Sequence, residues 1–158
     1  MRSRVPVFLD YLRSGRRYSP HTVAAYRRDL ADFEAFLTRR RGEPPRAETV
    51  GEDDVRDYLR DLTRRGLSAR TQARRLASLK AFRRYLKRRG VDALEMGPEL
   101  RGPRLPRRLP PHLSEADLGD LLDAPDWDDD PRGRRDRAVI ELLYGTGIRL
   151  AELVDLRR

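Results

Sequence analysis

Cysteine is absent from the 158 residues, so the chain can form neither disulfides nor thiolate metal sites. That absence points, weakly, to a cytoplasmic protein. No apolar run approaches the roughly 18 residues a membrane span needs. The opening stretch MRSRVPVFLDYLRSG is too short and too interrupted to read as a signal peptide or membrane span. No membrane partner is therefore expected. Lysine is nearly missing: 33 of the 35 basic residues are arginine, leaving Lys80 and Lys87. No segment alternates convincingly as a strand, and there is no internal repeat. The length suits one ordinary domain or two small helical ones, and not a large enzyme.

What is present is positive charge, unevenly placed. The formal net charge is +9. Residues 1–110 hold 28 basic and 14 acidic side chains, a net of +14, whereas residues 111–158 hold 7 and 12, a net of −5. A basic field of that size favours a polyanion, most commonly nucleic acid. Arginine abundance alone is also what a GC-rich genome supplies, so placement along the chain carries more weight than the count.

The apolar pattern is helical throughout. A short first helix spans about Val5 to Arg13. A second begins with Ser19 as N-cap and Pro20 in its first turn, stops near Gly42, and buries Val23, Tyr26, Leu30, Phe33 and Leu37. A third fits EDDVRDYLRDLTRRG, with acids at its start, Arg64, Arg65 and Gly66 at its end, and Val55, Tyr58, Leu59 and Leu62 as its stripe. The fourth runs from Ser68 to Gly90. Together they predict a four-helix unit over 1–96. The stretch 97–111, with five prolines and four arginines, reads as a semi-rigid linker. A second unit, 112–158, starts at a helix capped by Ser114 with Asp117 close to a capping box. The acidic DWDDDP reads as a surface loop, and RGRRDRAVIELLYGTG as a helix burying Ala138, Val139, Leu142 and Leu143.

On a helical wheel the fourth helix separates Leu76, Leu79, Phe82 and Leu86 from Arg70, Arg74, Arg84 and Arg88. Ala77 and Ala81 lie between the arginines, and Lys80 and Lys87 lie on the flank. Small residues permit close approach to a nucleic-acid backbone, and guanidinium forks suit phosphate. A solvated charged face has the same look. From Leu67 to Gly90, however, there are nine basic residues and no acid, so no intrahelical pair can form and an external anion is expected to neutralise the helix. Duplex DNA and RNA are not separable on this pattern. If Arg74 and Arg84 are surface contacts, either can become alanine without loss of helix.

LLYGTGIRLAEL, Leu142 to Leu153, breaks an apolar helix at Gly145-Thr146-Gly147 and restarts it near Ile148 with Arg149 in the first turn. The macrodipole disfavours a cation there. Either Arg149 pairs with Glu152 three residues on, worth about 0.3 kcal/mol, or the guanidinium and the helix start together bind phosphate.

The segment LSEADLGDLLDAP…RRDRAVIELLYGTGIRLAELVDL resembles the start of the catalytic domain of tyrosine recombinases, the phage-integrase family, most closely its Xer type. YSPHTVAAYRRDLADFEAFL and SARTQARRLASLKAFRRYL resemble that family's SAM-like core-binding domain, and LPRRLPPHLSEADL resembles its interdomain linker. The resemblance implies an all-α chain: a four-helix core-binding domain over 1–96, then the first helices of a mainly α catalytic domain. It implies double-stranded DNA as partner, with other recombinase protomers in a tetramer, and no metal or other cofactor. In the family a tyrosine attacks the scissile phosphate to give a 3′-phosphotyrosine. Arg149 matches its first catalytic arginine, and Glu152 the acid that supports it. Arg70, Arg74, Lys80, Arg84, Lys87 and Arg88 fall on the helix implied to contact DNA.

Only six residues follow Glu152, so the family's lysine, its His-x-x-Arg motif and its nucleophilic tyrosine have no counterparts. Tyr11, Tyr18, Tyr26, Tyr58, Tyr85 and Tyr144 all precede Arg149, and neither His21 nor His112 has an arginine three residues on. The expectation is a fragment of a recombinase or a truncated DNA-binding product, without strand cleavage by these residues alone. An RNA-associated helical protein would give no reason for GTGIRLAEL.

Overall fold

A computed structural model describes residues 1, 4–97, 100–105, 112–123 and 130–156, and among them every regular element is helical. The chain divides into two units, Met1–Pro106 and Arg107–Arg158.

In the first unit, α1 (Arg4–Asp10) does not continue as an α-helix to Arg13; it widens into a π-helical turn over Tyr11–Gly15. The wider turn sets the Tyr11 ring 5.1 Å from that of Tyr85 while Leu12 stays buried. Helix α2 (Pro20–Arg41) starts where the sequence predicts. The Ser19 hydroxyl accepts the Thr22 amide at 3.2 Å, Pro20 opens the first turn, and Gly42 ends the helix at φ 78°, a left-handed conformation natural for glycine. Helix α3 (Glu52–Arg64) concentrates three acids in its first turn, and α4 (Ala69–Arg88) is capped by Ser68.

Helix α4 packs against α1, α2 and α3, and α2 packs against α1, the π-helical turn, α3 and α4. The predicted stripes form the core: Val23, Leu30, Phe33 and Leu37 of α2, Val55, Tyr58 and Leu62 of α3, and Leu76, Leu79, Phe82 and Leu86 of α4 are buried, while Tyr26 and Leu59 are half-buried. Phe8 joins α1 to this core, its ring 5.2 Å from Phe82 and 5.3 Å from Tyr85. Truncating such a ring costs about 3–5 kcal/mol, so this cluster sets the position of α4.

Packing of the first unit continues past Met96. The Gly97 amide donates to the Glu52 carboxylate, Leu100 is buried, and the Lys80 ammonium donates to the Leu100 carbonyl at 2.9 Å. The start of the proline-rich stretch is thus held along α4 and α3; residues 106–111 lie outside the described set.

In the second unit, α5 (Glu115–Leu122) has the anticipated capping box: the Ser114 hydroxyl accepts the Asp117 amide at 3.1 Å, and the Asp117 carboxylate accepts the Ser114 amide at 3.2 Å. Asp130 caps α6 (Pro131–Thr146), and α7 (Leu150–Val154) follows. Most of the acidic stretch, 126–129, lies outside the described residues. The predicted burial on α6 is not observed. Ala138 and Leu142 are exposed, Val139 and Leu143 only half-buried, because α5 and α7 are short and cover part of its circumference. No described residue of this unit is fully buried.

Candidate nucleic-acid interface

The fourth helix carries no acid, and the counter-charge for two of its arginines, Arg74 and Arg75, comes from α2. Asp29 falls within the apolar stripe of α2, one turn from Tyr26 and from Phe33, and is 2% exposed. Its carboxylate accepts a hydrogen bond from the Arg74 guanidinium, and Arg75 Nε lies 3.9 Å from its other oxygen. One turn on, Asp32 accepts from Arg75, from both terminal nitrogens of Arg65 at 3.0 Å each, and from the Tyr58 hydroxyl at 2.8 Å. A polar network therefore joins α2, α3 and α4 through two carboxylates, three guanidinium groups and one phenol.

Burial works against the ionised form of Asp32, but the hydrogen bonds from Arg65 and Tyr58 and the charge of Arg75 outweigh it, leaving the carboxyl below its usual range. Burial, and then the hydrogen bond given to Asp32, hold the Tyr58 phenol above its usual range, so it stays a donor. The linkage follows directly. A carboxyl whose folded pKa is depressed stabilises the fold above its unfolded value, about 4, and loses that contribution as pH falls through the lower folded value. The thermal midpoint of the first unit should therefore drop as pH falls below about 4. Asp32→Asn, already weakened at neutral pH, should show a shallower acid drop; equal slopes in a pH series of melts would remove Asp32 as the group responsible.

These partners sort the six predicted contact residues. Arg74 is 43% exposed, yet it is committed to buried Asp29, so its replacement costs stability as well as any surface contact. Lys80 holds the Leu100 carbonyl. Arg88 lies over the Tyr11 ring, 5.4 Å from its centroid. Arg70, Arg84 and Lys87 are exposed and have no ion pair or hydrogen bond among the described residues. Two depressions flank Arg84. The larger, about 560 Å3, is lined by Tyr26, Ala77, Lys80, Arg83 and Arg84 among others; the smaller, about 150 Å3, by Ala81, Arg84 and Arg88 with Arg16, Tyr11 and Tyr18. The two alanines thus floor two basic hollows. Arg16, Arg83 and the Asp29–Arg74 and Asp32–Arg75 pairs were not singled out from sequence. An acid inside an apolar stripe was the available signal for Asp29.

Arg149 stands on the second unit, 83% exposed. It precedes α7 as N-cap, with extended backbone (φ −73°, ψ 147°), instead of lying in the first turn. Only Gly147 turns the chain, at φ 64°; Gly145 and Thr146 still belong to α6, and the Thr146 hydroxyl accepts the Ile148 amide at 3.2 Å. Glu152 accepts both the Arg149 amide and its guanidinium, each at 3.0 Å. The Arg149–Glu152 pair, one of the two readings the sequence left open, is formed at the surface beside the helix start. Among the described residues there is no group of acids and histidines able to hold a metal ion, and no helix long and apolar enough to cross a membrane.

The sequence model of the family described as phage integrase, N-terminal SAM-like domain, matches residues 5–90. The chain is 40% identical over 152 residues to the tyrosine recombinase XerC of Alcanivorax borkumensis, covering 96% of this chain and 48% of that protein. It is 42% identical over 149 residues to the tyrosine recombinase XerD of Pseudomonas aeruginosa, covering 94% and 49% respectively. The chain spans about half the length of the curated relatives it matches. Among solved structures, the crystal structure of XerA recombinase superposes with a TM-score of 0.50 at 24% identity, over 99% of this chain and 50% of that one, a likeness of fold.

Proposed function

The chain belongs to the phage integrase family, and on that premise we propose that its first unit grips double-stranded DNA through the outer face of α4. The protein then serves site-specific recombination, by strand cleavage and rejoining through a tyrosine-linked phosphate. The observation that carries this reading is the split of α4 itself. Its inner arginines, Arg74 and Arg75, are neutralised by Asp29 and Asp32, whereas Arg70, Arg84 and Lys87 are exposed with no protein anion among the described residues, and Arg84 stands between two hollows lined by Ala77 and Ala81. Unpaired guanidinium groups along a small-residue strip match a phosphate backbone in charge and in closeness of approach.

Arg74, Lys80 and Arg88 complete the proposed contact set from positions already anchored. Side chains held by Asp29, by the Leu100 carbonyl and by the Tyr11 ring lose less freedom on binding. On the second unit, Arg149 is the proposed catalytic group, its charge directed at the phosphoryl oxygens where negative charge develops, with Glu152 orienting it. The domain division that accompanies this function is a DNA-gripping unit over 1–96, a linker over 97–111 and catalytic-domain helices over 112–158, with further recombinase protomers assembling on the same DNA.

Equilibrium anisotropy on a labelled duplex tests the central claim. Binding in the micromolar range is expected at 0.15 M salt, with Arg84→Ala about five-fold weaker under the same conditions, the worth of one phosphate contact. Arg39→Ala, the same charge loss at the far end of α2, is expected to leave affinity unchanged. No duplex binding, or equal effects of the two substitutions, would overturn the assignment of this face.

A further inference from the structure

We propose that the smaller hollow, between the π-helical turn and α4, is a seat for a single backbone phosphate on which the guanidinium groups of Arg16, Arg84 and Arg88 converge. The proposal rests on the reading of the α4 face as a DNA contact and specifies one fixed point within it.

Three observations meet there. First, Arg16, Arg84 and Arg88 line one depression of about 150 Å3, and none of them has a carboxylate partner among the described residues. Three like charges around so small a space repel one another unless an anion lies between them. Second, the aromatic walls hold two of the three in place. Arg16 Nε donates to the Tyr11 hydroxyl at 2.9 Å, leaving its terminal nitrogens free, and Arg88 lies on the Tyr11 ring. Third, the chain reaches this arrangement through strain. Arg17 sits at φ 51°, a left-handed conformation unusual for a residue with a Cβ, between Arg16 and Tyr18, both of which line the hollow. The Tyr18 amide reaches back to the Leu12 carbonyl at 3.1 Å, fixing that turn. Ala81 at the floor leaves the space open. The volume equals that of roughly five waters, enough for a phosphate group and its first waters and too small for a nucleotide.

A shared phosphate has a signature that three independent contacts lack. Each phosphate neutralised contributes about 0.9 to the slope of log affinity against log salt. The double variant Arg16→Gln with Arg88→Gln is therefore expected to lower that slope by about 0.9, the value for one phosphate. A fall of about 1.8 would mean two separate phosphates, and no fall would mean the hollow does not touch DNA; either overturns the seat. A wild-type chain with no salt slope at all would instead remove the underlying reading of the face, a different failure.

Should circular dichroism show the double variant unfolded, the wild-type chain still decides the matter. Inorganic phosphate titrated into the 15N-labelled protein is expected to move the Arg16 Nε–H and Tyr18 amide signals well before that of Arg39. Equal movement of Arg16 and Arg39 overturns the seat. Phosphate binding combined with an unchanged slope in the double variant assigns the hollow to a free anion and overturns the DNA contact.

Discussion

Replacing Arg75 with alanine is expected to lower the unfolding free energy of the first unit by about 3–5 kcal/mol, the cost of breaking a buried ion pair from one side. The guanidinium is 15% exposed and serves Asp32, the Tyr58 hydroxyl at 3.1 Å and the neighbourhood of Asp29. Its loss leaves Asp32 to Arg65 and Tyr58 alone and Asp29 to Arg74 alone, short of the guanidinium that lies between α2 and α4. Arg75→Lys should rescue little, since one ammonium cannot span partners that a planar fork reaches together. Arg74→Ala should cost less, about 1–2 kcal/mol, because water reaches its end of the pair. Arg84→Ala should stay within about 0.5 kcal/mol of the parent. Urea unfolding followed by tyrosine near-ultraviolet circular dichroism measures all four. An Arg75→Ala loss below about 1 kcal/mol would show that the network is no more than a surface array.

Duplex affinity of the chain is expected to fall roughly 10²–10³-fold between 50 and 200 mM salt, for four to six phosphates neutralised. The triple variant Arg70→Ala, Arg84→Ala, Lys87→Ala isolates the outward groups that lack protein partners. At 0.15 M salt it should bind about 100-fold more weakly, with the slope reduced by about 2.7 and helicity unchanged, since none of the three supports a fold contact. Full affinity in the triple variant would locate the DNA elsewhere on the chain. A collapse of helicity would show instead that these side chains stabilise α4.

Most of the first unit was legible in sequence because local rules and tertiary packing agree there. Ser19 and Ser68 start helices and Gly42 ends one, each through local cap chemistry, and the stripes of α2, α3 and α4 meet in one core. Two kinds of feature were not legible. The π-helical turn that follows α1 packs its Tyr11 ring against Tyr85, more than 70 positions away, a contact no local pattern reports. The neutralisation of α4 depends on Asp29 and Asp32, which a search for pairs three or four residues apart cannot find. The absence of acids on α4 was correctly noted, but its meaning differs by side: the inner arginines have carboxylates from α2, and the outer ones have no protein partner among the described residues. On the second unit Arg149 and Glu152 were foreseen as a pair, while burial on α6 was overstated because periodicity marks an apolar face and says nothing of what covers it.

Asp32 answers to three donors at once, Arg65, Arg75 and Tyr58, on two other helices. In descent, such a position cannot drift alone: a change there leaves three side chains without their acceptor, and a change in any of them leaves the carboxylate short of a donor. Positions 32, 58, 65 and 75 are therefore expected to change together. Arg70, Arg84 and Lys87 bear no such tie among the described residues. One helix is thus expected to carry two clocks, a slow one on its inner face set by the protein and a faster one on its outer face, where no side chain of the protein holds it.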